Sequence, residues 1–310
     1  MPVLESGSLL PPELRPLALV KGAGDLATGV ALKLCEAGFS VVMTETAQPT
    51  VVRRTVAFAQ AVYEGRATVQ GVDGVLATNR GDILRALKGG NVAVVVDPAA
   101  FTRNYLVPDL LVDAIMAKRN LGTRLGDAPA VVGLGPGFVA GLDVHAVIET
   151  MRGPTLGTVI SHGGALPDTG IPAERHGFGR ERLLRSPAEG LFAPVKDIGD
   201  WVKRGETVGL VGGLPVVSEL DGVLRGLLNA GLRVDAGFKL GDVDPGAQPS
   251  DCNVVSDKAL AIGRGVVRAA LSLLATARDD SSNVVRLRSG VGAVWRGCAG
   301  APARRGALPG

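Results

Sequence analysis

The chain has 310 residues, is 46% hydrophobic and 4% aromatic, contains 44 glycines and carries a net charge of +3. So much apolar content at modest charge excludes a disordered chain and is enough for one large or two modest domains. A nucleic-acid-binding stripe is excluded as well: from Ser281 onward five arginines (Arg286, Arg288, Arg296, Arg304, Arg305) meet no acid, and without them the chain stands at −2.

Residues 1–16 form an N-terminal extension with acids and prolines. Leu17 to Lys21 is a short apolar run that predicts a strand and stops at Gly22-Ala23-Gly24. Leu26, Val30, Leu34 and Ala37 then share one helical face, and Gly38 is placed to end that helix. Phe39 to Met43 predicts the next strand, completing a βαβ unit. A helix is predicted over Thr55–Tyr63, a strand over Ala67–Gln70 and a short helix over Asp82–Leu87. Val92 to Val96 reads as a strand buried on both faces. Leu110–Ile115, Val131–Leu134, Val144–Ile148 and Thr158–Ile160 are further strand candidates. The alternation predicts a Rossmann-like domain over 17–160, with a mostly parallel sheet and right-handed crossovers.

Residues 161–190, with His162-Gly163-Gly164, several prolines and a run of arginines, read as a connecting segment. A Gly-x-x-Val-x-x-Gly unit at Gly199–Val208 then recurs 32 residues later at Gly231–Leu240. Doubled units of this kind predict a small β half-barrel of biotinyl/lipoyl type over 191–250. No lysine lies between Lys203 and Lys239, which speaks against a covalent carrier and for a docking or structural role. Within 251–276, Ser256 is placed to cap a helix running to about Leu274. Residues 277–310 are expected to be a disordered basic tail.

The first chemical motif is Gly22-x-Gly24-x-x-x-x-Gly29, after a strand and opening a helix. Gly22 permits a sharp turn, Gly24 lets the backbone approach a phosphate, and the helix start offers free N–H groups. Glu45 stands 21 residues after Gly24, where a ribose-binding acid belongs. A glycine turn that merely packs helix on strand is the competing explanation. Gly133, Gly135 and Gly137 around Pro136 form a second rigid loop, equally suited to an anion or to a tight connection. Arg53 and Arg54 suit a phosphate or carboxylate, or else a solvated surface pair. His145 and Glu149 fall on one face of a predicted strand and could form a polar pair there, although a lone histidine is more often structural. Asp97-Pro98 reads as a strand-ending turn. No catalytic set is evident.

Three distant cysteines (Cys35, Cys252, Cys298) and three scattered histidines lack disulfide or metal-ligand spacing. No run of 18 uninterrupted apolar residues predicts a membrane span, and residues 1–16 lack the features of a signal peptide. The expectation is a cytoplasmic protein without metal, membrane or nucleic acid, and compatible with a homo-oligomer.

The blocks Lys21–Ala31, Arg53–Gly65, Gly133–Phe138, Asp143–Thr150 and Lys239–Pro245, in this order, resemble the YqeB-type accessory proteins of selenium-dependent molybdenum hydroxylase systems. Pro154, Gly246, Arg264 and Arg268 depart from that pattern. The resemblance implies an accessory or maturation factor whose partner is a molybdenum hydroxylase or one of its maturation proteins. It implies a nucleotide (NAD-like) or molybdopterin cofactor as ligand, with Gly22, Gly24, Asp25, Arg53 and Arg54 as contacts. Two alternatives stand beside it: an NAD(P)-dependent oxidoreductase using Glu45 for the ribose and His145 as proton donor, and a non-catalytic interaction module.

Overall fold

A computed structural model describes residues 15–170, 174 and 176–280, and the side chains to 276 where the chain ends in a helix. Nearly all of the N-terminal extension and all but four residues of the basic tail lie outside the described residues. The first part of the chain is a nine-stranded sheet. Its strands are β1 (Leu17–Lys21), β2 (Ser40–Glu45), β3 (Arg66–Val69), β4 (Val72–Ala77), β5 (Val92–Val96), β6 (Leu110–Asp113), β7 (Ala130–Leu134), β8 (Ala146–Ile148) and β9 (Val159–Ile160). Their order is β3-β4-β5-β2-β1-β6-β7-β8-β9, parallel from β4 to β8, with antiparallel β3 and β9 at the edges. The order runs outward in both directions from β1, so the chain switches sides between β1 and β6.

Side chains alternate across this sheet as the pleat requires. Ala18 and Val20 of β1 and Ala130, Val132 and Leu134 of β7 join one apolar layer, whereas Leu19 and Val131 join the layer on the other face. The first layer is covered by α1 (Asp25–Glu36) and by α5 (Asp257–Asp280), the last described helix. The other layer holds Ile83 and Ala86 of α3 (Arg80–Lys88). Two single-turn helices, α2 (Ala61–Glu64) and α4 (Arg103–Leu106), complete this part. Where a continuous helix is predicted over Thr55–Tyr63, the chain makes two 3-10 turns before α2. The cause is tertiary: Phe58 N–H donates to Thr28 Oγ1 and Ala59 N–H to Ala23 O, so neither amide points along a helix axis.

The second part is wholly antiparallel. It holds β10 (Leu183–Arg185), β11 (Gly190–Pro194), β12 (Trp201–Val202), β13 (Thr207–Val211), β14 (Leu214–Val217), β15 (Gly222–Leu227), β16 (Arg233–Val234) and β17 (Lys239–Asp244). They form two curled four-stranded sheets, β10-β17-β15-β12 and β14-β13-β11-β16, around a core that includes Phe192, Val208, Leu224, Leu227 and Leu240. Each repeat unit supplies a two-residue strand and a longer one. The two units exchange partners, since β12 shares a sheet with β17 and β13 with β16. β10 lies inside the stretch that the sequence suggests is a connection, because its pairing partner β17 is more than fifty residues away and leaves no local signal.

The stretch Pro249–Thr276 is apolar and long enough to cross a membrane by length and composition alone. In the fold, however, Ala259, Ile262, Val266, Ala269 and Ala270 of α5 are buried in the first core, as a core helix requires. The helix returns from the second part to lie on α1. Ser256 Oγ accepts the Ala259 N–H and caps its start. The crossing with α1 is close because both helices present small residues. A Cβ built on Gly29 would stand 2.6 Å from Ala259 Cβ, and one on Gly263 would stand 2.6 Å from Gly29 O. Gly29→Val is therefore expected to force the helices apart and cost about 2–3 kcal/mol, read as a lowered urea midpoint. A cost below about 0.5 kcal/mol would contradict this packing.

Candidate functional site

β1 ends at Lys21, and the next three residues build the turn. Gly22 sits at φ +92°, its N–H donates to Thr44 O, and a Cβ there would press on Ala114 O at 3.0 Å. Glycine is required at that position. Gly24 is the N-cap of α1. Having no side chain, it leaves the first turn without a side-chain cap. A Cβ on Gly24 would make only an ordinary contact with Val51 at 3.5 Å, so the protein's own packing does not demand a glycine there. The turn opens into a cleft of about 480 Å³ at the carboxyl ends of β1, β2 and β6, lined by Gly22, Gly24, Asp25, Glu45, Ile115 and Met116, among others.

Under this cleft lies a buried ionic staple. Lys21 and Asp113 face each other in register across β1 and β6. Lys21 Nζ donates to Asp113 Oδ2 at 2.9 Å and to Thr123 Oγ1 at 2.6 Å, and Thr123 donates to Asp113 at 2.5 Å. Above it the loop after β6 places Met116 at φ 62° and Lys118 at φ 61°, a left-handed conformation uncommon for residues with side chains.

Glu45 does stand at the end of β2, but both carboxylate oxygens are engaged. Oε2 accepts the Ala23 N–H at 2.9 Å and Oε1 the Thr46 N–H at 2.7 Å. It fixes the glycine turn from below. Asp25 is half-buried, and its carboxyl is pushed above the usual aspartate range, first by burial and further by Asp242. Arg53, the Leu26 N–H and Lys239 oppose the shift. Since the folded-state value is raised, Asp25 costs stability as pH rises from the unfolded value toward the folded one. Asp25→Asn is therefore expected to match the wild type in thermal midpoint at pH 3 and to exceed it at pH 8. A variant less stable at pH 8 would reverse that sign.

Arg53 is buried and donates to Val254 O at 3.1 Å, while its Nε has no hydrogen-bond partner among the described residues. Arg54, expected beside the ligand, instead bridges to the second part of the chain, through Leu227 O at 3.1 Å and Asp197 at 3.2 Å. Gly29 is covered by α5 and has no place in the cleft. The glycines of the second loop answer to internal packing: Gly133 lies under the Phe138 ring, Gly135 at φ +71° against Thr150, and Gly137 at φ +108° against the Arg119 backbone. The Gly135 N–H donates to Ile148 O. That loop still borders a second chamber of about 600 Å³ through Pro136.

The expected His145–Glu149 pair does not form. His145 precedes β8, where its Nδ1 accepts the Val131 N–H at 3.0 Å, and burial holds its imidazole below the usual value. Glu149 follows β8 at the other end and accepts from the Thr150, Met151 and Leu166 amides. The even spacing was satisfied, but β8 is only three residues long and each partner lies beyond it. His145 is thus at the opposite end of the sheet from the cleft, too far to serve as a proton donor there.

Lys258 was not foreseen. It is half-buried at the start of α5, lines the second chamber, and makes no hydrogen bond or ion pair among the described residues. Burial pushes its ammonium below the usual lysine value and Arg152 adds to this, while Asp25, Glu149 and Asp257 pull the other way. A polar residue two positions after a helix cap was the only signal it offered in sequence. Among the described residues no cluster of His, Cys, Asp and Glu could hold a metal ion.

Fold and site together define a mixed α/β protein with a large mostly parallel sheet, a curled antiparallel part and a cleft at the strand-switch point of the large sheet. Comparison with protein-family models gave no match. Over 263 residues, 85% of this chain, the sequence is 48% identical to Uncharacterized protein YqeB of Escherichia coli (strain K12). The match covers 49% of that relative, so the chain spans about half its length. This supports the resemblance to YqeB and carries no role with it. Among solved structures, the product-bound ectoine utilization protein EutE (DoeB) from Ruegeria pomeroyi matches at 12% identity and TM-score 0.25, over 74% of this chain and 85% of that one. An aspartoacylase family protein from Mesorhizobium loti matches at 13% identity and TM-score 0.24, over 75% and 86%. At such TM-scores neither carries an argument about this chain.

Proposed function

We propose that this chain binds a phosphate-bearing small molecule, a nucleotide or a molybdopterin-type cofactor, at the amino end of α1. By its resemblance to YqeB-type accessory proteins, it would serve in the cytoplasm as an accessory factor to a molybdenum hydroxylase. One observation carries the binding: an uncapped helix start opens onto a cleft at the switch between β1 and β6, with Gly24 leaving room for a ligand rather than for a neighbour. The strand order β5-β2-β1-β6-β7-β8 supports a Rossmann-like sheet, and the strand exchange between the two glycine repeats supports a biotinyl/lipoyl-like half-barrel. The accessory role and the kind of hydroxylase served come from the resemblance alone.

The residues fit such a ligand. The α1 amides would hold its phosphate end, and Leu26, Ile115 and Met116, which line the cleft, would take its remainder. Purification of the full chain from a molybdenum-replete host, followed by acid release and mass spectrometry, is expected to yield a phosphorylated nucleotide or pterin. Calorimetry with NAD, ADP and molybdopterin cofactor tests the same site, and absence of heat with all three overturns the proposal.

A further inference from the structure

The cleft at α1 does not end at Met116. That residue borders both the 480 Å³ chamber and the 600 Å³ chamber beyond it. Besides Met116, the second chamber is walled by the apolar Pro136, Met151 and Leu166, with Lys118, Arg152 and Lys258 as its cations against the two acids Asp168 and Glu174. Two of these cations are already matched. Lys118 Nζ lies 2.6 Å from Asp168, and Arg152 makes two hydrogen bonds to Asp257, at 2.9 and 3.0 Å. Lys258 is the cation left without a hydrogen-bond or ion-pair partner among the described residues of this chamber; the carboxylates of Asp25, Glu149 and Asp257 act on its charge only from beyond ion-pair distance. Leaving a half-buried ammonium unmatched is costly, and an anion from outside removes the cost.

We infer that the ligand of the α1 site extends past Met116 into the second chamber, where Lys258 holds a second anionic group. This inference rests on the site proposed above. It narrows the ligand class to elongated molecules with at least two separated negative charges, one at the helix start and one at Lys258. A single compact anion fills only the first position. The first turns of α1 and α5 thus address one molecule from two sides, and the crossing at Gly29 and Gly263 fixes their spacing.

The test uses inorganic phosphate and tripolyphosphate as short and long probes, titrated by calorimetry into the full chain, Gly24→Val, Lys258→Gln and Lys258→Arg. Circular dichroism checks that each variant is folded. The wild type is expected to bind tripolyphosphate at least tenfold more tightly than phosphate. Lys258→Gln is expected to reduce that advantage to threefold or less without weakening phosphate, Lys258→Arg to keep most of it, and Gly24→Val to lose both probes. If Lys258→Gln keeps the full advantage while Gly24→Val loses binding, the second anchor is refuted and the α1 site stands. If Gly24→Val binds both probes as the wild type does, the α1 site itself falls. If the wild type binds neither probe, both are refuted.

Discussion

Replacing Asp113 with alanine is expected to remove about 3–5 kcal/mol of stability, the largest loss from any single substitution in the large sheet. The carboxylate is 2% exposed and receives both Lys21 and Thr123. Its loss leaves the Lys21 ammonium, itself 6% exposed, with Thr123 as its remaining partner. An uncompensated charge is thereby left beneath the cleft, and the Ile115 N–H also loses its acceptor at 3.2 Å. The double substitution Lys21→Met with Asp113→Leu removes both charges and is expected to recover most of the loss, since apolar side chains of similar volume can replace a buried pair. Urea unfolding of the wild type and the two variants decides the matter. An Asp113→Ala cost under about 1 kcal/mol would mean that water reaches the pair.

Gly24→Val is expected to lower affinity for a phosphate-bearing ligand by at least tenfold, or at least about 1.4 kcal/mol, while costing no more than about 1 kcal/mol of stability. The asymmetry is the informative part. The first branch atom would meet Val51 at 3.5 Å, an ordinary contact, so folding tolerates it. The two methyl groups beyond it are expected to cover the α1 amides that the ligand would use. Gly22→Val has the opposite profile, because a positive φ and Ala114 O both oppose a side chain there. If Gly24→Val unfolds the chain, the glycine is a packing residue after all.

Much of the large sheet was legible because its strands are continuous apolar runs. Leu17–Lys21 and Val92–Val96 appear with the predicted bounds, α1 starts one residue before the predicted Leu26, and α5 starts directly after its predicted cap Ser256. The hairpin β3–β4 was only half visible. Gly74 sits in β4 because the Phe58 ring covers it, and a Cβ there would stand 2.6 Å from that ring. Asp73 and Gly74 thus interrupt a strand pattern for a reason that lies on another segment. Gly29 misled in the other direction: its spacing suggested a phosphate, while its use is helix packing. The Gly22 turn could be located from sequence, but Met116 and Lys258 could not. They come to the cleft and to the chamber beyond it from 94 and 236 residues after Gly22, through strand order and a returning helix, which no local pattern encodes.

That returning helix also sets the order of assembly. α5 covers the apolar layer of the large sheet, yet it leaves the ribosome after both curled sheets. Until about residue 270 is out, Val30 and Leu34 of α1 and Ile148 of β8 lack part of their cover. The large sheet therefore waits, while the residues between β9 and α5 are made, with an oily side open to water, the kind of surface that chaperones hold. A ribosome stalled before Asp257 is expected to display a chain that is protease-sensitive along its whole first half, although every strand of that half has already been made.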